Sequence, residues 1–472
     1  MAQGNREQRA AAAARRRAHR RAHAGYGGPG TDGFGSGGFG FGSSGFGRVG
    51  AGTTGATASR AKPSAETIST VLLSAAREHG AGDCEAGARI ASLVAERFAD
   101  QPSLVAAAVQ CAVAPLVTAA WERGWTPEDL HQVGRRRLDA VAVDYLVDAI
   151  AEESQRYAKA TVAQRWSEDL GQIGAVVWWE PTQTGGHLLQ WVRRHTCSLV
   201  DALTTVIRVL AILLALPVLP RIMAPPGCAV ASAAPRRGVD QKMLARVRAL
   251  LAKAESTTFP DEAEALSAKA QELMSRYSLE RIVVDSAGSP GTDPHPAAAR
   301  RLWLDNPYVA AKALLVGAVA EANRCRTVLS EALGFTTVLG DEVDLEIVEL
   351  LSTSLLVQAT RAMVSAGSQT SPTGRSRTRS YRQSFLIAYA TRIGERLSTA
   401  RDVSTAAVAD SARLLPVLAA RERVVEKLFE SMFPRSASRS YNVGNAAGWY
   451  AGRAAADLAV LDTRRAVASG DA

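Results

Sequence analysis

Two apolar stripes separated by a short turn limit residues 240–284 to an antiparallel pair of helices. Leu244, Val247, Leu250, Leu251 and Ala254 recur at three- and four-residue spacing, with Lys242, Arg246, Arg248 and Lys253 on the opposite face, the pattern of an amphipathic helix. The turn Ser256-Thr257-Thr258-Phe259-Pro260 supplies hydroxyls for orphan amides, a proline suited to a first helical turn, and Asp261 and Glu262 for the positive end of the next helix. Along that second helix Ala263, Leu266, Ala270, Leu273, Met274 and Tyr277 repeat the stripe, and so short a connection makes the two helices neighbours that pack stripe to stripe.

The same residues resemble a known family signature. Lys242 to Leu251, Lys253 to Thr257, Phe259-Pro260, Glu262 to Ala265 and Lys269 to Met274, on to Tyr277, are similar to the amino-terminal signature of the bacterial family called domain of unknown function 2786. The stretch Gly124-Trp125-Thr126-Pro127-Glu128-Asp129-Leu130 and the segment downstream to the terminus also resemble what accompanies this pair in actinobacterial members. The resemblance implies a helical protein and brings no activity, substrate or cofactor with it.

Charge is divided unevenly. Residues 1–65 hold ten of the 55 Lys and Arg and two of the 46 acids, a net of +8, which leaves +1 for the other 407 residues of the 472. The high isoelectric point therefore belongs to the tail. Aromatics make up 6% and alanine takes their place, which favours closely packed helices over sheet. Cysteines at 84, 111, 197, 228 and 325 are widely spaced and odd in number, so neither a zinc site nor a disulfide framework is indicated and a reduced cytoplasm is expected. The N-terminal stretch has no apolar run, so no signal peptide is expected.

Residues 1–62 read as a disordered tail. Arg15, Arg16, Arg17, Arg20 and Arg21 stand on a segment with no apolar face, followed by glycine and serine interleaved with Tyr26, Phe34, Phe39, Phe41 and Phe46, a composition that cannot offset its ordering entropy. Two readings are open: arginines neutralising phosphates while aromatics stack on bases, or a solvated basic extension. Residues 64–222 read as a helical bundle. Its stripes run through Ile68 and Leu72, through Ile90 and Val94, along Ser103 to Arg123 with Pro115 inside, and past a capping-box-like Thr126-Pro127-Glu128-Asp129. Arg135-Arg136-Arg137 are expected on a solvated face because Asp139, Asp144 and Asp148 follow.

Residues 173–195 interrupt the helical rhythm with Trp178-Trp179-Glu180-Pro181 and Gly185-Gly186-His187. His195 and Cys197 lie two apart, a spacing that points side chains away from each other on a helix, so no catalytic pair is expected. Leu199 to Pro220 is the most apolar segment, but Asp201 and Arg208 leave only Val209 to Pro220 uncharged, too short to cross a bilayer. A buried helix is expected, with membrane attachment the minor alternative.

Proline- and glycine-rich linkers are expected at 223–239 and 285–300, which isolates the pair at 240–284, and residues 301–472 read as an α+β domain. Within it, Cys325 to Leu329 and Phe335 to Leu339 form β-branched runs around Gly334, a small β-hairpin between helices. Residues 366–382 read as a loop carrying Arg375, Arg377, Arg379 and Arg382, either a phosphate contact or a plain surface loop. Gly444, Gly448 and Gly452 recur every fourth residue, a stripe for close helix packing.

The fold class that follows is mainly α: an N-terminal helical bundle, a central helical hairpin and a C-terminal α+β domain behind a disordered N-terminal tail. No hydrolase, phosphate-loop or metalloprotease motif is present, so no catalytic residue, metal or cofactor is expected. The leading functional expectation is a cytoplasmic, non-enzymatic protein that binds nucleic acid through its tail and the 375–382 arginines, with the helical pair recruiting a protein partner. The alternative is an enzyme of unrecognised class whose site lies between the pair and the C-terminal domain, with Lys253, Glu255, Glu262 and Lys269 as its polar groups.

Overall fold

Capping residues set the starts of the N-terminal helices in the computed structural model, which describes residues 64–183, 185–228, 297–366, 377–406, 411–437 and 443–459, together with Ala249, Leu250 and Lys253. Ser64 caps α1 (Ala65–Gly80), Asp83 caps α2 (Cys84–Arg97), and α3 runs Pro102–Glu122 with Pro115 inside it. Thr126 and Asp129 form the expected capping box at α4 (Pro127–Arg137), and Asp139 caps α5 (Ala140–Ser154). After α6 (Gln164–Gln172) and α7 (Gly186–His195), a second capping box of Ser198 and Asp201 opens α8 (Leu199–Leu214).

The apolar segment expected to be a buried helix is α8, and it packs against α1, α2, α3 and α5. Ala202, Leu203, Val206, Ile207, Val209 and Leu210 are fully buried in one cluster with Leu72, Val105, Trp121 and Ile150. By length and composition α3 is apolar enough to cross a membrane, as is the later helix Glu342–Ser365, whereas α8 passes only together with α7, as a pair bent by 116°. In this fold Val105, Val109, Val113, Val117 and Trp121 of α3 face the bundle core. A buried acid, Glu153, accepts from Trp121 Nε1 at 2.5 Å, Tyr157 OH at 2.6 Å and Thr118 Oγ1 at 2.9 Å, so its charge is met by three donors.

The β-hairpin is present, and a third strand completes it. Strands β1 (Ala298–Trp303), β2 (Arg326–Ser330) and β3 (Phe335–Gly340) form an antiparallel sheet in the order β1-β3-β2. Ala298 to Arg300, at the end of the segment expected to be a linker, thus belong to a strand. Helices α9 (Val309–Ala322), α10 (Glu342–Ser365) and α12 (Ser411–Met432) pack on the sheet, and α11 (Thr378–Ala406) and α13 (Ala446–Leu458) pack on α9 and α10 and on each other. Every residue of β3 is buried. Val338 joins the core of α9, α10 and α11, whereas Leu339 and Ala299 meet Val425 of α12 on the other face.

Alternation along β1 sends two adjacent arginines to opposite partners. Arg300 pairs with Glu342 and Glu349 of α10. Arg301 points the other way, into the helical bundle, where it pairs with Asp129 and donates to Gly124 O at 3.0 Å and Pro220 O at 2.7 Å. Trp303 Nε1 donates to the second oxygen of Asp129 at 3.0 Å. The Gly124 to Leu130 stretch is therefore the bundle's side of this junction. Trp125 Nε1 donates to Pro217 O at 2.8 Å, and a Cβ on Gly124 would lie 2.3 Å from Leu219 O at a φ of +85°, which only glycine tolerates.

Candidate nucleic-acid interface

Helices α11 and α13 lie side by side and run in the same direction. Gly444 faces Ser380, Gly448 faces Tyr381 and Gly452 faces Phe385, while Asp457 near the far end of α13 pairs with Arg392 of α11. The glycine stripe serves close packing, as its spacing indicated. A Cβ on Gly448 would stand 2.4 Å from Tyr381 O, and one on Gly452 2.2 Å from Phe385 O. Asn445 caps α13 by accepting from Gly448 N at 2.9 Å, and its own backbone amide donates to Ser384 Oγ at 3.1 Å. Both helix N-termini are thereby brought to the same end of the pair.

Charges are distributed unevenly along this pair. At the far end every cation is met. Glu395 accepts from both Arg453 nitrogens at 2.9 Å and from Arg392 at 2.8 Å, and these hydrogen bonds, Arg453 first, hold its carboxyl down at about 2. Arg396 donates to the carbonyls of Ala456 and Ala459. At the near end, Arg377 and Arg379 are exposed and Arg382 is half-buried. Among the described residues none of the three has an ion-pair partner, and Arg382 Nε is shielded from solvent without an acceptor. Neither helix carries an acid in its first turn.

This end therefore concentrates positive potential from three guanidiniums and two helix N-termini, where folded proteins ordinarily place acids. Cations at a helix N-terminus are unfavourable unless an anion is supplied. Exposed guanidiniums can take phosphate oxygens in a bidentate fashion.

The sequence placed these arginines in a loop running to residue 382, but α11 already begins at Thr378. Tyr381 causes the difference. The residue is 5% exposed, its backbone lies against Gly448 of α13, and its amide donates to Arg377 O at 2.9 Å, so the polar sequence is held helical by packing against Gly448. Arg375 lies outside the described residues, as do Arg15, Arg16, Arg17, Arg20 and Arg21 of the tail. Of the polar groups considered for an enzyme site, Glu255, Glu262 and Lys269 also lie outside them, and Lys253 is exposed. Cys197 and His195 do not form a pair. Cys197 Sγ donates to Val192 O at 4.0 Å, and burial raises its thiol, while His195 Nε2 turns to Asp144 Oδ2 at 2.9 Å. Among the described residues no group of three or more His, Cys, Asp or Glu side chains is placed to hold a metal.

Fold and site together describe a mainly helical protein with a small sheet and an arginine-bearing helix end. Residues 242–281 match the model of the family described as "Protein of unknown function (DUF2786)", the signature the sequence resembles. No curated protein and no solved structure matches the chain.

Proposed function

We propose that this protein binds nucleic acid without catalysing a reaction on it, gripping the phosphate backbone at the shared N-terminal end of α11 and α13. The observation that supports this most is that, among the described residues, Arg377, Arg379 and Arg382 have no acidic partner, at the start of a helix whose later arginines, Arg392 and Arg396, are fully engaged. The contacts are to phosphate rather than base, so binding is tolerant of sequence. Arg375 and the arginines of residues 15–21 are further phosphate contacts, and the segment 240–284, whose sequence reads as a helical pair, recruits a protein partner in the cytoplasm.

The test is fluorescence anisotropy of labelled duplex and single-stranded oligonucleotides against the full chain. Compared with it would be a chain lacking residues 1–62 and carrying Arg375, Arg377, Arg379 and Arg382 all changed to Gln. The full chain is expected to bind and the altered chain to lose at least about tenfold in affinity at low salt. Equal affinity of the two would overturn the proposal.

A further inference from the structure

The helical bundle carries a cleft of about 360 Å³ between α4, one face of α5, the loop at 173–178 and α7. Its volume falls at the lower end of ligand pockets, about 300–1,000 Å³. The walls contain both signs of charge around an apolar floor. Val143 and Val147 of α5 and Ile173 of the loop lie only partly buried in it, and Val176 is exposed beside them.

Two of the polar groups in the wall are committed elsewhere. Asp148 accepts from Trp178 Nε1 at 2.9 and 3.0 Å and contacts His187 Nε2 at 2.8 Å, and His187 is itself packed between Trp179 and Tyr145. This buried network fixes the position of the Trp178 ring. Three others also line or border the cleft. Arg194 lies over Trp178, its guanidinium carbon 4.3 Å from the ring centre, and among the described residues it has no carboxylate partner. Asp144 is half-exposed, and His195 Nε2 stands 2.9 Å from it without the alignment of a hydrogen bond. His131 Nδ1 is shielded from solvent without a partner, since Glu128 is 3.9 Å away. Burial holds that imidazole toward its neutral form, against the pull of Glu128.

We infer that this cleft binds a small zwitterion with an aliphatic side chain, of the class of a free apolar amino acid. The ammonium group meets Asp144, the carboxylate meets Arg194 where Trp178 holds it, and the side chain covers Val143, Val147 and Ile173. A ligand of a single charge would meet only one of the two opposed groups and so binds more weakly than the zwitterion.

Titration calorimetry on the full chain tests this, with L-leucine, L-leucinamide (no carboxylate) and isocaproate (no amine) as the probes. L-leucine is expected to bind and each analogue to bind at least about tenfold more weakly. Asp144→Asn is expected to weaken L-leucine and L-leucinamide but not isocaproate, and Arg194→Gln to weaken L-leucine and isocaproate but not L-leucinamide. Absence of L-leucine binding up to about 10 mM, or equal binding of all three compounds, would overturn the inference. Neither of those outcomes depends on whether a variant folds.

Discussion

Arg301 of β1 and Asp129 of α4, 172 residues apart in sequence, form an ion pair in which each side chain is 2% exposed. Each partner has further bonds: Arg301 reaches two backbone carbonyls, and Asp129 takes Trp303 Nε1 and the Thr126 amide. The pair is therefore fully satisfied, and removing one member strands the other. Arg301→Met is expected to cost about 3–5 kcal/mol, because it leaves an uncompensated buried carboxylate. Asp129→Asn in that background is expected to return part of the loss. Urea unfolding of the two single variants and the double variant measures the coupling. Additive losses would mean that the two residues do not act as a pair.

Asp169 of α6 gives the molecule a stability that falls on the alkaline side. Burial is the main cause that raises its carboxyl from 3.8 to about 7; Asp129 and Glu128 add to the rise, and Arg165 and Arg300 oppose it. The folded state thus holds a proton that the unfolded chain has released. The stability this contributes is fully present below the unfolded value and is lost as pH rises through about 7. Asp169→Asn is therefore expected to gain on the parent protein in urea midpoint as pH goes from about 5 to about 8. A gap between the two that stays constant across that range would contradict the assignment.

The glycine stripe of α13 predicts a substitution effect of unusual sign. Alanine is favoured over glycine inside a helix by about 1 kcal/mol, yet Gly452→Ala would set a Cβ 2.2 Å from Phe385 O. The helices would have to separate, so a net loss of about 1–3 kcal/mol is expected. Gly444→Ala, whose nearest neighbour is Ser380 Oγ at 3.3 Å, is expected to be nearly neutral. Thermal unfolding of the two variants distinguishes a packing role from simple helix propensity.

Much of this architecture was legible in the sequence because it is written in local periodicity. The stripes of α3 and α8, the Thr126–Asp129 cap, the turn at Gly334 and the four-residue glycine repeat all depend on residues near one another in the chain. Strand β1 was not legible. Its six residues include Arg300 and Arg301 side by side, which read as polar linker until each arginine has a partner from another part of the fold. Asp144 and Asp148 were read as acids that balance Arg135 to Arg137. The fold instead turns Asp148 inward to Trp178 and His187, residues 30 and 39 positions away. The arginines at 377–382 were visible as a cluster, but their helical setting depends on Tyr381 meeting Gly448, a contact between distant segments.

The most direct test of nucleic-acid binding is the salt dependence of affinity for a duplex oligonucleotide, measured on the full chain and on the full chain with Arg377, Arg379 and Arg382 replaced together by Gln. Three lost phosphate contacts are expected to flatten the slope of log K against log salt by about 2.7, so that the parent gains about 40-fold more than the variant on a fourfold dilution of salt. Identical slopes for the two proteins would contradict the account.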